Sequence, residues 1–389
     1  MDTPSGPLAS SNDGPTGSDR AMTDDPSGDS TGDALRVPFT TCGRLMVPGP
    51  ELSCPTGDGP SPTAGLRVLR GPEVPAELAA PRPRAPTPFQ SAGWCRAWVT
   101  EAAAAEGAVP LLVRAGTTDG QTVRVGLQLH AEEAGPVLRP LSWPWADYHE
   151  AWTEGPAPHA EPAGAAQALA EALDEVQRSE GASLDLPDVV AGGLLHRAGL
   201  LLGARESPAS PVVSIDLTDP ERVAAVVERK ETVRKRRLLA RQGEVSLVHW
   251  RDPEQLRARL PSFFAMHAEQ WRDRPDAVAP FDGGVVDRTF AGVAEQPDSG
   301  AVLTELRLDG APVAAYYGFL HRDRYWAYRT AFDQSFRRLS PGHQLVAAMV
   351  EDFLAAGVRV FDLMRGDYPY KLDYASKVVN NVRLERGRG

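Results

Sequence analysis

Residues 361–376 read FDLMRGDYPYKLDYAS. An apolar, strand-like run ends there in Arg365, Gly366 and Asp367, and a Tyr-Pro-Tyr-Lys sequence follows at once. Lys371 is a point charge on a flexible stem, a donor suited to steadying an oxyanion or a phosphate. Tyr370 and Tyr374 supply flat walls, and Pro369 fixes the turn that presents them. Arg365 and Asp367 add one charge of each sign; in a plain strand-end loop they would form a surface ion pair. So many rings are unusual in a solvated loop, and so many charges are unusual in a core. Lys371, Tyr370, Asp367 and Arg365 are therefore the candidate catalytic set.

A second stretch, RRLSPGHQL, opens a helix. A helix start exposes unpaired N–H groups and partial positive charge, so it attracts anions. Gly342 removes a side chain where a phosphate would approach, and Arg337 and Arg338 add charge. Ser340 and His343 flank the turn, although Ser-Pro is also a common plain cap. Lys230, Arg234, Arg237 and Arg241 recur at helical spacing as one basic stripe, widened by Lys235 and Arg236, on which a polyanion could lie. His267 and Trp271 stand one helical turn apart, a base beside a substrate wall or a packed pair. WPWADYHEAW gathers Trp145, Asp147, Tyr148 and His149 in one aromatic segment that could line a pocket.

The elements that must position these residues follow from periodicity. Residues 1–64 are Ser, Gly, Pro, Thr and Asp with few apolar side chains, and read as a disordered tail. From Leu66 onward, LRVLR predicts a short strand and TPFQSAGWCRAWVTEAAAAEG a helix ending at Gly107. VPLLVRAG and TVRVGLQLH flank an Asp119-Gly120 turn as a hairpin. A helix stopped by Gly181 and the strand ASLDLPDV come next, then a short helix within VVAGGLLHRAGLLLG. A second series opens with the strand PVVSIDL. Asp219-Pro220 caps a helix expected to run to Gly243, and VSLVHW is a strand. Asp252-Pro253 with Gln255 caps another helix, with a break possible at Pro261. A meander turns at Asp309-Gly310 and at Arg322-Asp323, and Ser340-Pro341 opens a helix that exits at Gly357. The strand VRVFDLM follows. The two series share an order: a Trp-bearing helix, a hairpin with an Asp-Gly turn, a long helix, an apolar strand.

The chain has 389 residues, enough for two domains, and a net charge of −11 (41 basic and 52 acidic residues). That balance argues against DNA as a partner. The three cysteines form no CxxC pair, so neither a metal site nor a disulfide framework is indicated. No stretch suits a bilayer span, and no basic start precedes an apolar core, which leads to the expectation of a cytoplasmic protein. Walker, GxGxxG, GxSxG and HExxH signatures are absent.

TPFQSAGWCRAW, YRTAFDQSFRRLSPGHQL and FDLMRGDYPYKLDYAS, taken together, resemble the recurring segments of the CelD-like, acetyltransferase-like branch of the GNAT superfamily, related to the Fem-type aminoacyl-tRNA transferases. The resemblance spans Leu66 to Arg383 and is strongest from Lys230 onward. It implies an α/β (α+β) fold of two tandem GNAT-like domains (65–210 and 211–389), each a mostly antiparallel mixed sheet flanked by helices. It also implies N-acyl transfer from acyl-CoA such as acetyl-CoA to a small-molecule amine, without a metal. The pyrophosphate would lie at Arg337, Arg338, Ser340, Gly342 and His343, a turn with one Gly where the family signature has two. Tyr370-Lys371 is similar to the aromatic-Lys pair with which Fem relatives steady the tetrahedral intermediate. Trp145, Asp147, Tyr148, His267, Trp271, Arg329 and Asp333 are the candidate substrate-binding residues. Aminoacyl-tRNA as donor, or a non-catalytic role in polysaccharide or secondary-metabolite assembly, are the alternatives.

Overall fold

The apolar runs on either side of each Asp-Gly turn pair as antiparallel hairpins, and everything else is arranged on them. In the computed structural model, residues 40–42, 65–71, 73–78, 85–154, 162–272, 281 and 283–388 are described. The strands are β1 (Thr40–Cys42), β2 (Arg67–Arg70), β3 (Ala108–Gly116), β4 (Thr122–Glu132), β5 (Gly135–Pro140), β6 (Trp152–Glu154), β7 (Ser183–Val189), β8 (Arg205–Asp216), β9 (Val245–Trp250), β10 (Ala301–Leu308), β11 (Ala311–His321), β12 (Arg324–Phe332), β13 (Val360–Arg365) and β14 (Lys377–Arg386). The helices are α1 (Glu73–Leu78), α2 (Ala92–Glu101), α3 (Ala165–Glu180), α4 (Leu194–Leu201), α5 (Pro220–Val227), α6 (Lys230–Ala240), α7 (Pro253–Trp271), α8 (Val285–Ala294), α9 (Pro341–Ala355) and α10 (Pro369–Leu372).

All strands join one sheet in the order β1-β9-β10-β11-β12-β13-β8-β14-β7-β5-β4-β3-β2, with β6 on β4. A repeat is visible in it. The antiparallel meander β3-β4-β5 is followed by α3 and by β7, parallel to β5. The meander β10-β11-β12 is followed by α9 and by β13, parallel to β12. An antiparallel strand then covers each, β14 on β7 and β8 on β13. β14 also pairs with β8, so the last strand stitches the two series together. The expected boundary at residue 210 falls inside β8. β1 lies parallel to β9, a strand within the segment expected as a tail; most of that segment lies outside the described residues.

Helix continuity differs from the sequence expectations at two places. The helix expected from Pro220 to Gly243 breaks after Val227 into α5 and α6. At about 100° per residue, a straight helix would turn buried Val226 roughly a third of a turn away from buried Thr232, Arg236 and Leu239. The break lets both sets face inward. Conversely, α7 runs unbroken through Pro261, because Leu260, Phe263 and Phe264 on both sides of it are packed in the core.

In the second series the sheet is covered on both faces. α7 and α8 pack on Tyr317 and Phe319, and α9 packs on Tyr316 and Tyr325. β12 and β13 pair over only three positions, Arg324↔Val360, Tyr325↔Phe361 and Trp326↔Asp362, and then part. A bulge at Tyr328 bends β12 away just past the fork, since Tyr317 opposes Arg329 while Gly318 opposes Ala327. Asp362 stands at the fork itself. It is 1% exposed, and its Oδ1 accepts from Tyr148 Oη and from Met364 N, each at 2.8 Å. Its Oδ2 accepts from Arg324 Nη1 at 2.8 Å. Burial raises its pKa, against the pull of Arg324.

Tyr148→Phe removes one neutral donor to a buried carboxylate and should lower unfolding free energy by about 1.5–3 kcal/mol. Asp362→Ala strands Arg324 and Tyr148 together and should lower it by about 3–5 kcal/mol. Urea unfolding followed by circular dichroism measures both; equal losses would show that the fork does not rest on the carboxylate.

Candidate functional site

Where β12 and β13 part, a cavity of about 560 Å³ runs through the sheet. His267, Gln270 and Trp271 of α7 line it from one face, and Ser340, Gly342 and His343 at the start of α9 line it from the other. The end of β13 and α10 form the wall between.

Lys371 belongs to that wall. It is 5% exposed, and its Nζ donates to the carbonyl of Arg365 at 2.5 Å and lies 3.5 Å from that of Met364. The chain turns through left-handed conformations at Met364 and Gly366, and the carbonyls between them face the ammonium. A Cβ on Gly366 would also meet the Tyr368 ring at 2.9 Å. Burial pulls the Lys371 pKa from 10.5 down to about 8; Arg365 and Arg329 push the same way, and Asp147 and Asp362 oppose. Two carbonyls use two of its three N–H bonds, which leaves one for a ligand. Tyr370 stacks on Tyr368 at 6.2 Å and hydrogen-bonds to Tyr316; burial pushes its phenol up to about 12.

Arg365 lines the cavity, but its guanidinium is committed. It pairs with Asp188 at 2.6 Å and Asp147 at 3.2 Å, and it donates to the carbonyl of Pro144. The ion pair with Asp367 imagined from the sequence does not form. Asp367 is exposed and does not line the cavity.

The aromatic segment 143–152 divides. Asp147 reaches the cavity wall. Trp145 stacks on Phe290 and donates to Glu106, and Tyr148 is held by Asp362; neither lines the cavity. His149 bridges to Val189, so this segment occupies the gap between β5 and β7 that corresponds to the open fork of the second series. The first series thus fills its own fork and contributes Asp147 to the other.

At the α9 turn, Arg337, Ser340, Gly342 and His343 line the cavity, whereas Arg338 is exposed outside it. Ser340 is left-handed (φ 49°) and does not cap α9; its Oγ accepts from Lys235 Nζ at 2.8 Å. The N–H groups of His343 and Gln344 return to Ser340 O, Ser340 N returns to Arg337 O, and Pro341 has none. Among the described residues the Gly342 N–H of this turn has no backbone partner. A Cβ there would meet only Phe332, at 3.9 Å, so the space before it is open. His343 Nδ1 is bonded to the Tyr374 hydroxyl, and burial, then Arg229 and Lys235, lower its pKa.

On the α7 face, His267 is 3% exposed, and its Nδ1 has no partner among the described residues. Burial, then Arg329, pulls its pKa to about 3, so the ring is neutral. Trp271 lies 5.9 Å from that ring. Arg329 lies over Tyr328 at 5.1 Å and pairs with no carboxylate among the described residues. Asp333 instead caps the following turn by accepting from Ser335 N at 2.8 Å, and lies outside the lining.

Reading the sequence misses Tyr316, Tyr328 and Gln270 as lining residues and Asp362 as the fork's tie. Tyr316 and Tyr328 sit inside apolar strands and carry no signal apart from core residues. The lining holds Arg329, Arg337, Arg365 and Lys371 against one carboxylate, Asp147, in a chain of net charge −11. The lining is therefore net cationic, although Arg365 is already paired with Asp147 and Asp188. Among the described residues no group of three His, Cys, Asp or Glu is placed to hold a metal, and no helix is long and apolar enough to cross a membrane.

Residues 227–372 match the family model described as an acetyltransferase (GNAT) domain. No curated protein matches the sequence. Among solved structures, FemX superposes with a TM-score of 0.55 at 12% identity, over 82% of this chain and 96% of that one. The C-terminal domain of a protein assigned as a lysylphosphatidylglycerol synthetase from Agrobacterium fabrum superposes with a TM-score of 0.52 at 12% identity, over 81% of this chain and 91% of that one. The resemblance to the GNAT superfamily and its Fem-type relatives therefore stands on a matching acetyltransferase domain, which contains α9, β13 and Lys371, and on a shared fold of mostly antiparallel sheet flanked by helices.

Proposed function

We propose that this protein is an N-acyltransferase that moves an acyl group from acyl-CoA to an amine on a small metabolite, sugar or amino acid. The observation that carries the reading is Lys371, a buried ammonium with one uncommitted N–H, set in the wall of a cationic cavity that pierces the sheet at its fork. The amine, in its neutral form, attacks the thioester carbonyl. A C–N bond forms, the carbonyl electrons move to oxygen, and Lys371 donates to that oxyanion. Collapse breaks the C–S bond, and the proton lost by the nitrogen passes, directly or through water, to the leaving thiolate, which departs as the CoA thiol. The donor enters from the α9 face, where the Gly342 N–H, the open space before it and Arg337 suit a phosphate. The second series, 211–389, carries the chemistry, the first buttresses it, residues 40–42 add a strand beside β9, and the setting is cytoplasmic.

Aminoacyl-tRNA as donor is the second reading. The α9 turn offers one free backbone N–H, which is few for a pyrophosphate cradle. Beside it, the stripe of Lys230, Arg234 and Arg237 on α6, with Arg241 just past its end, is exposed, although Arg234 is paired with Glu231. Calorimetric titration of acetyl-CoA separates the two. Gly342→Asp, which adds bulk and like charge, should weaken acetyl-CoA binding at least tenfold. Equal affinities would move the donor site elsewhere.

Lys371→Met should lower turnover about 10²–10³-fold, or roughly 3–4 kcal/mol, with donor affinity little changed. Lys371→Arg should be impaired too, because a planar fork does not replace a point charge held by two carbonyls. Since burial disfavours the ammonium, Lys371→Met should keep or raise the thermal midpoint. A folded Lys371→Met protein within about threefold of wild-type turnover would remove Lys371 from the mechanism.

The pH profile gives an independent sign. The cationic form of Lys371 does the work, and that form is lost as pH rises through about 8. The kcat/KM should therefore fall above that pH in the wild type, and the Lys371→Met profile should lack this descending limb. A limb that rises through the same pH in the wild type and is missing from Lys371→Met would instead make Lys371 a base.

A further inference from the structure

The two ends of the cavity differ in kind. At the α9 end stand a backbone N–H, Arg337 and open space. At the α7 end stand one cation with no carboxylate partner and one neutral polar ring with an unpartnered nitrogen, among the described residues. Arg329 projects from the part of β12 that has left β13 but still pairs with β11, just past the Tyr328 bulge; it hydrogen-bonds to the Tyr328 side chain and has no carboxylate among the described residues. Asp147, the one acidic side chain of the lining, is engaged by Arg365. His267 is 3% exposed, with Nδ1 lacking a partner among the described residues. A buried polar atom without a partner, next to a cation without a counter-ion, is costly in an empty site and is relieved by a ligand that supplies both.

We propose that the α7 end is a carboxylate pocket formed by Arg329 and His267, so that the acceptor is an amine that also carries a carboxylate, an amino acid. This rests on the acyl-transfer reading and names its acceptor. A carboxylate is planar and takes two N–H bonds from a guanidinium side by side, the pairing for which Arg is suited. The local charge is a single positive one, since His267 is neutral, which matches a monoanion better than a phosphate dianion. Arg329 lies 5.1 Å from the Tyr328 ring centroid and hydrogen-bonds to the Tyr328 side chain, which restrains its fork. The carboxylate of an amino acid seated here directs its amine along the cavity toward Lys371, whose charge already interacts with that of Arg329. Donor and acceptor then approach from opposite faces of the sheet and meet at the fork.

The test pairs each acceptor with its counterpart lacking the acid. Full-length protein with acetyl-CoA is given a pool of amino acids, the matching decarboxylated amines, and phosphoethanolamine, with acylated products read by mass. Amino acids should be acylated with kcat/KM about 100-fold above their decarboxylated amines. In Arg329→Gln that ratio should fall toward one, chiefly through a higher KM. His267→Phe, which keeps the ring volume, should raise KM in the same direction. Equal use of amines by the wild type, or preference for phosphoethanolamine, overturns the carboxylate site. If no pool is acylated, the acyl-CoA reading fails by itself, and thermal-shift titration with the same pools decides the site. Protection by amino acids that is lost in Arg329→Gln, with none from the amines, sustains it, and no protection overturns it.

Discussion

The Asp362 carboxylate sets the geometry from which the site follows. It lies at the last position where β13 pairs with β12, and it ties Arg324 of β12, the Met364 backbone and Tyr148 of the first series to one point. Below it the parallel strands hold together; above it they separate and the cavity opens. Two parallel strands joined over three positions would otherwise be free to zip further or to splay at random. A buried carboxylate with three partners fixes where the separation begins. The Tyr328 bulge then fixes how far β12 swings.

Beyond the fork, the chain accepts local costs that a plain core would not. Met364 takes a left-handed backbone, Lys371 keeps an amine where burial opposes its charge, and Arg329 faces the cavity with no carboxylate partner among the described residues. Residues in such conformations persist when the surroundings over-determine them. Here the surroundings are Arg365 with its two aspartates, the His343–Tyr374 contact and the tyrosines around α10. They hold the wall rigid, so the one uncommitted N–H of Lys371 has a definite direction. That is the condition under which electrostatic stabilisation acts without reorganisation.

Much of this is legible in the sequence where chemistry is local. Asp219-Pro220 and Asp252-Pro253 mark helix starts because a carboxylate accepts the first free N–H groups, as both do. Asp309-Gly310 marks a hairpin because Gly tolerates positive φ, and both residues adopt it. The Tyr-Pro-Tyr-Lys turn stands out because rings and charges seldom mix at a strand end. What is not legible depends on long-range pairing. Nothing near Asp147 says that it faces Arg365, and nothing near Arg365 says that it prefers Asp147 and Asp188 to Asp367. Trp145 and Tyr148 look like pocket residues by type, yet each is drawn into the core by a partner remote in sequence. Tyr328 is displaced by a bulge that no residue announces.

The stitching strand β14 has a bearing on how the chain reaches this state. β7 is complete at Val189, but its partner on one side is supplied by Lys377–Arg386. During synthesis the edge of β7 stays open while the whole second series is made, and an unpaired edge is a template for wrong partners. Asp185, which on the finished sheet meets Arg383 and Arg139, puts charge on that waiting edge. A charge there discourages pairing with another chain in the interval, so the ion pairs of the finished seam also serve as a safeguard for the nascent one.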